Sequence, residues 1–436
     1  MFRKTGLTVA GMILSLWTSG DAAASGFQLR EQSGTGQGTS FAGMTAGGED
    51  ISAMFFNPAA LGAHAGSAVL GVASRIAPVL RFKDGRATRP SGAATSGAST
   101  HDDAGKDAVL PSFYAAWDFG KPVRFGLAVN VPFGLETDYT SDWVGRYHAT
   151  QSAIRTIAVA PTMSYEPIPG LVLGAAPVFQ RIEAKLGKAV NVSAILGAGG
   201  DAYSNLRGDD SLATGGRFGV LWQATRDTRL GLAYHTEIRH ELRGDATFSG
   251  NTPAVLVNNN TLRNSPIRAN VALPETASFG LQHRLTPELT LAAEAAFTRW
   301  SKVNELRIRF ESGRADDVTQ LRWRDTYFLS VGAVWKAREN LTLRTGIGFD
   351  KSPVPEEERT PRIPDQDRTW LSFGAGYKLT EAIDLDLGYS HIFVKRANLN
   401  LVDGGAASET NRFRGNLTGA YEASIDIVTV QARWRF

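Results

Sequence analysis

The sequence contains no cysteine. That absence excludes a disulfide framework, thiolate metal sites and a cysteine nucleophile, so hydrogen bonding and packing must hold the fold. An excess of charge of one sign is missing too, because 46 lysines and arginines stand against 43 acidic residues. So balanced a chain gives no electrostatic sign of a nucleic-acid partner. Beyond the first two dozen residues there is no apolar run approaching the ~20 residues that a helix needs to cross a bilayer. No long segment repeats its apolar residues at the helical period either. If the chain lies in a membrane, only a closed β-barrel satisfies its backbone polar groups there.

The start of the chain names a compartment. Arg3 and Lys4 precede an apolar run from Leu7 to Trp17, and Ala22-Ala23-Ala24 offers small residues for cleavage. Residues 1–24 therefore read as a secretory signal peptide, too short for a membrane-spanning helix, and the mature chain is expected to begin at Ser25. Its 412 residues would suggest two or three soluble domains, but one large barrel can use them all.

The far end supports the barrel. Counting back by twos from Phe436 gives Trp434, Ala432, Val430 and Val428, while Arg435, Arg433, Gln431 and Thr429 fall between them. Successive side chains of a strand point to opposite faces, so this strand suits a wall with hydrocarbon on one side and a polar lumen on the other. The same alternation runs through Val123–Val131, Ile383–Ser390 and Arg229–Arg239. In the last, Arg229, Gly231, Ala233, His235, Glu237 and Arg239 are expected on the lumen face. About fourteen such segments are expected, near 67–83, 108–118, 122–132, 150–166, 170–186, 209–224, 228–248, 267–284, 288–310, 321–336, 340–350, 367–378, 382–393 and 419–436. Tight turns alternate with long connections at 84–107, 133–149, 187–208, 249–266, 311–320, 351–366 and 394–418, which places the long loops outside the cell. The expected fold is all-β, a transmembrane antiparallel barrel over 67–436. A soluble sandwich or propeller would bury its apolar face and would need neither the signal nor the terminal aromatic. Residues 25–66, rich in Gly, Ser and Ala, fit no strand and are expected to plug the lumen as a hatch.

Particular residues then carry a resemblance. Ser25-Gly26-Phe27-Gln28-Leu29, Glu31-Gln32-Ser33, Phe41-Ala42-Gly43, Glu49-Asp50 and Phe56-Asn57-Pro58-Ala59-Ala60-Leu61 together resemble the N-terminal hatch of the outer-membrane long-chain fatty acid and aromatic hydrocarbon transporters (the FadL, TodX and OmpP1 family). Asn130-Val131-Pro132-Phe133-Gly134-Leu135-Glu136-Thr137, followed by Asp142-Trp143-Val144-Gly145-Arg146-Tyr147, resembles the same family's third strand and following loop. The resemblance implies a monomeric barrel in the bacterial outer membrane, a hatch gated around Phe27, Asn57, Pro58 and Ala59, and a hydrophobic ligand leaving sideways through an inward kink of the third strand. Pro132, Phe133 and Gly134 are the positions expected to form that lateral opening. Sequence physics adds that Pro132 lacks a ladder donor and Gly134 weakens a strand, so pairing should fail there, although Pro132 simply ending its strand is the plainer reading of that proline alone.

Other chemistry is thinner. No familiar nucleophile motif flanks a serine, so a barrel lipid hydrolase has little support. His235 and His240, five apart on one strand, are expected on opposite faces and unable to share a metal. The run Glu356-Glu357-Glu358-Arg359 reads as a solvated loop. The connections carrying Ile195 and Leu196, and Val255 and Leu256, are unusually apolar for external segments, and are expected to form a groove that captures a greasy ligand or else to pack locally. The expected partners are a hydrophobic small molecule and the surrounding outer-membrane lipid and lipopolysaccharide, with no cofactor and no metal; an open porin for hydrophilic solutes is the alternative.

Overall fold

The computed structural model describes residues 26–120, 122–196, 200–402 and 413–436, so the expected signal peptide lies outside the described residues. Twenty antiparallel segments form one sheet: β1 (Ala68–Thr88), β2 (Ala108–Asp118), β3 (Val123–Asn130), β4 (Gly134–Asp138), β5 (Gln151–Ile168), β6 (Leu171–Asn191), β7 (Asp201–Gln223), β8 (Thr228–His235), β9 (Ile238–Gly250), β10 (Ser265–Leu273), β11 (Thr276–Arg284), β12 (Leu289–Thr298), β13 (Glu305–Phe310), β14 (Asp317–Gln320), β15 (Thr326–Arg338), β16 (Leu341–Asp350), β17 (Arg368–Lys378), β18 (Ile383–Val394), β19 (Ala397–Leu401) and β20 (Asn416–Arg435). Six staves of the wall are each built from two successive segments, namely β3 with β4, β8 with β9, β10 with β11, β12 with β13, β14 with β15 and β18 with β19, which makes fourteen staves in all. The sheet closes on itself where β1 pairs with β20, from Ala68 opposite Arg435 to Thr88 opposite Asn416. Closure removes the free edges that would otherwise leave a row of unpaired backbone groups.

Burial alternates as the sequence expects. Val428, Val430 and Trp434 are exposed on the outside of β20 and Phe436 just past its end, while Thr429 and Gln431 are buried within. Phe125, Leu232, Phe279, Leu387 and Tyr389 belong to the same outer apolar belt. This is the reverse of a soluble sandwich, whose apolar face would be inside.

Three expectations are corrected. The connection expected at 187–208 is mostly strand: β6 runs to Asn191, β7 begins at Asp201, and the two stay in register to that end. The outward apolar pattern ends there because a wall above the lipid faces water, with Lys185, Asn205 and Arg207 exposed and Leu186, Val190, Ala202 and Leu206 packed inward, so hydrogen bonding continues after the lipid-facing alternation stops. Likewise the expected loop 133–149 contains β4. The third correction concerns His235 and His240, which both point inward. Thr236 and Glu237 interrupt the stave between β8 and β9, shifting the face by one residue, so Ile238, His240 and Leu242 turn in while Arg239 is exposed. The expected lumen ladder of His235, Glu237 and Arg239 therefore does not exist. His235 Nε2 lies 3.0 Å from the Phe56 carbonyl, and His240 sits between Asp210 and Gln180.

Candidate functional site

Residues 26–66 pass through the lumen as a string of short capped turns. Ser33 caps Gly34–Gly38 by accepting from Gly36 N, Asp50 caps Ile51–Phe55, and Asn57 caps Pro58–Ala63 with proline at the first position. Short oxygen-bearing side chains are suited to such ends, and proline there lacks only a donor that would have no partner. Asn57 does more than cap. Its Nδ2 donates to the Thr45 carbonyl at 2.7 Å and to the Val220 carbonyl of β7 at 3.1 Å, joining segment to wall. The wall makes room for this contact with a cross-strand glycine pair, Gly174 opposite Gly219. A Cβ on Gly219 would lie 1.8 Å from Asn57 Oδ1, and one on Gly174 would lie 2.1 Å from Ala59 N. Pro58 and Ala59 are thus fixed against β6 and β7. At the short-turn end Arg344 holds Glu49 through two hydrogen bonds of 2.6 and 3.0 Å.

The start of the segment is bound to the broken third stave. After Asn130 the alternation ends, and Val131, Pro132, Phe133 and Gly134 are all buried. Pro132 has no N–H and the chain turns inward, so its neighbours need partners other than β2. Residues 27–29 supply them: Leu29 N donates to the Pro132 carbonyl and Gly134 N donates to the Phe27 carbonyl, each at 2.9 Å. Gln32 fills the remaining gap. Its Nε2 donates to the Val131 carbonyl at 2.7 Å, and its Oε1 accepts from Ser112 Oγ of β2 at 2.7 Å and from Val131 N at 3.3 Å. One side chain thereby bridges β2 and the kink where their ladder has failed. Beside it Glu31 is buried with Oε2 lacking a partner among the described residues, and burial raises its carboxyl to about 7.

Above this junction lies a cavity of about 640 Å³ whose apolar lining includes Phe27, Leu135, Ile154, Leu242, Val303 and Leu306. Its floor is aromatic. Phe27 packs on Trp300 at 5.0 Å, on Trp323 at 5.7 Å and on Phe133 at 5.9 Å between ring centres. Each such contact is worth roughly 0.5–1.5 kcal/mol beyond burial. A cation also lines the cavity: Arg362 donates to the Gln151 and Gly187 carbonyls and to Ser152 Oγ, all neutral acceptors. Burial and the nearby Arg414 lower its affinity for a proton. The loop that carries it is not the solvated strip expected, because Glu358 and Arg359 are buried, with Arg359 donating to the Asn398 and Asp365 carbonyls. Asp365 in turn accepts from Gly26 N at 3.0 Å, so this loop also holds the start of the inner segment.

The expected capture residues sit on helical turns, Ser193–Leu196 and Ala254–Asn258. Ile195, Leu196 and Val255 are exposed, whereas Leu256 packs on a cluster of Val192, Leu206, Phe248, Leu262, Ile267 and Ile308. Leu206, Ile267 and Ile308 also line the cavity, so apolar surface is continuous from Leu256 inward. No site role was expected from the sequence for Gln32, Trp300, Trp323 or Arg362. The only available signal was that Trp300 breaks the alternation of its expected strand. Among the described residues no group of His, Asp and Glu is arranged to hold a metal, and no serine hydroxyl bonds a histidine.

The family described as "Outer membrane protein transport protein (OMPP1/FadL/TodX)" matches residues 15–436. The "Long-chain fatty acid transport protein" of Escherichia coli O6:H1 is 26% identical over 440 residues, covering 93% of this chain and 94% of that protein. The crystal structure of a Pseudomonas aeruginosa FadL homologue superposes with a TM-score of 0.85 at 24% identity, over 94% of this chain and all of the other. That of the Pseudomonas putida toluene transporter TodX superposes with a TM-score of 0.67 at 16% identity, over 95% of this chain and all of the other.

Proposed function

Because this chain belongs to the outer-membrane transport protein family of OMPP1, FadL and TodX, we propose that it carries long-chain fatty acids across the outer membrane, releasing them sideways at the β3–β4 kink. The observation that carries this reading is the double duty of residue 27: the Phe27 ring floors the cavity while its carbonyl accepts from Gly134 in the kink. Withdrawing one short segment would open the cavity downward and unseal the wall together. A greasy solute would collect at the apolar loops near Leu256, enter the cavity, and pass to the membrane once residues 27–32 shift. No energy source is needed, since apolar free energy favours the membrane interior.

The choice of a fatty acid over a neutral hydrocarbon rests on Arg362. A guanidinium bonded only to neutral acceptors at an apolar wall suits a carboxylate, for which its fork provides two donors. Aromatic hydrocarbons remain the second reading because Phe27 and Trp323 line the cavity and rest on Phe133 and Trp300. A deletion strain tested for growth and uptake on oleate, toluene and alkanes decides. Loss of oleate uptake alone, restored by the cloned gene, supports the proposal; loss of toluene uptake alone replaces it by the second reading, and loss of neither removes both.

A further inference from the structure

The kink is not the only break in the wall. Between β10 and β13 the ladder holds for three pairs, Ile267 with Phe310, Arg268 with Arg309 and Ala269 with Ile308. Along the same seam pairing resumes only at Thr276 opposite Thr298, between β11 and β12. Six residues of one stave, 270–275, thus face nine of the other, 299–307, tied only at the lower end by Arg299, whose N donates to the Glu275 carbonyl at 3.0 Å. The extra residues are drawn inward: 300–302 form a turn that buries Trp300 under Phe27. Beyond it β13 is held on its far side by β14, from Glu305 opposite Gln320 to Ile308 opposite Asp317.

This seam connects two spaces. Glu241, Ala269, Asn270 and Glu305 line both the large cavity and an external recess of about 490 Å³ that also touches Arg268, Arg307 and Arg309. Asn270 and Asn304 line the cavity yet are exposed on the outside of the barrel. The level of the break is informative as well. Just below it the outer surface presents Tyr234, Phe279 and Phe297, and at and above it Arg239, Glu241, Arg268 and Arg309. It therefore lies where the apolar belt gives way to charge, the level of lipid headgroups. Val271, Val303 and Leu306 make its inner side apolar, while Glu305, Arg307 and Lys302 make its rim charged.

We propose that the seam between β10 and β13 is an intake doorway, distinct from the β3–β4 exit, through which a single-chain amphiphile at the membrane surface inserts its apolar tail into the cavity while its ionised head stays at the charged rim. The doorway rests on the transport reading above and adds a second wall opening to it. It gives a molecule already at the membrane surface a path to the cavity besides the one from the apolar loops near Leu256. The alternating charges at the rim suit a head that must be held only briefly, since Arg307 already has Glu305 at 2.7 Å and Lys302 has Glu237 at 3.6 Å.

The cysteine-free chain makes the test clean. A single Leu306→Cys protein in intact cells is treated with a membrane-impermeant, positively charged methanethiosulfonate, and oleate uptake is measured before treatment, after it, and after reduction. The expected result is modification, loss of most uptake, and recovery on reduction; Thr247→Cys, exposed higher on β9, is modified without loss. Val271→Cys on the opposite side of the seam repeats the test should Leu306→Cys fail to reach the outer membrane folded. A thiol at these positions that resists the reagent, or full modification that leaves uptake unchanged, overturns the doorway and leaves the transport reading standing. If the unmodified protein moves neither oleate nor toluene, the transport reading falls and the doorway with it.

Discussion

Gln32 stands in for a stretch of β-ladder, which makes it the most informative single side chain in the molecule. Replacing it with leucine keeps the volume and removes the bridge, leaving the Val131 amide and carbonyl without their partner at a cost of about 1–3 kcal/mol for each group stranded. The barrel should still form, while residues 27–34 exchange their amide hydrogens faster and oleate uptake quickens. Unchanged exchange in a well-expressed Gln32→Leu protein would show that the seal lies elsewhere. Glu31 next to it gives a pH dependence. Burial lifts its carboxyl from an ordinary 4.5 to about 7. Between those values the folded protein keeps a proton that the unfolded chain has lost, so stability falls as pH rises through that window and the penalty is complete above it. Urea unfolding followed by tryptophan fluorescence should therefore show a less stable protein near pH 8 than near pH 5 for this contribution, and Glu31→Gln should flatten the difference. Both belong to the segment that carries the family resemblance, yet neither had a role legible from the sequence, because their roles exist only against partners about a hundred residues away or on other staves.

At the scale of elements, alternation was legible wherever one face of a strand meets lipid, as in β3, β18 and β20. It was not legible above the belt, where β6 and β7 continue with polar residues outward and Leu186, Val190 and Leu206 inward, nor at Thr236–Glu237, where an interruption reverses inside and outside. The third stave illustrates both sides of this. Pro132 and Gly134 marked the failure of pairing, yet nothing local said that residues 27–29 would supply the replacement bonds. Gly134 is buried at the start of β4, opposite Arg155, with its N–H committed to Phe27. Gly134→Arg should place a long cation in the sealed kink and stop hydrophobic uptake while leaving surface expression intact. Normal uptake by that variant would remove the lateral exit from this position.

For the whole molecule, closure through β1 and β20 means that all staves are hydrogen-bonded on both sides, apart from the seams described. Such a wall persists in detergent until heated. The protein should accordingly migrate differently on gels with and without boiling, and identical migration would contradict a closed barrel. With residues 26–66 filling the lumen, liposomes carrying it should not swell in sugars; swelling at porin rates would favour an open channel. What the sequence determined by itself was the class of the molecule: period-two alternation with the apolar face outward, no spanning helix, no cysteine, a leader-like start and an aromatic end are local properties, read residue by residue. The tertiary structure alone decided where that wall is incomplete and what fills it. Cross-strand glycine pairs such as Gly174 and Gly219, the aromatic floor under the cavity, the Gln32 bridge and the β10–β13 seam all depend on register between staves far apart in the chain, and register is set by closure of the whole barrel rather than by any single segment.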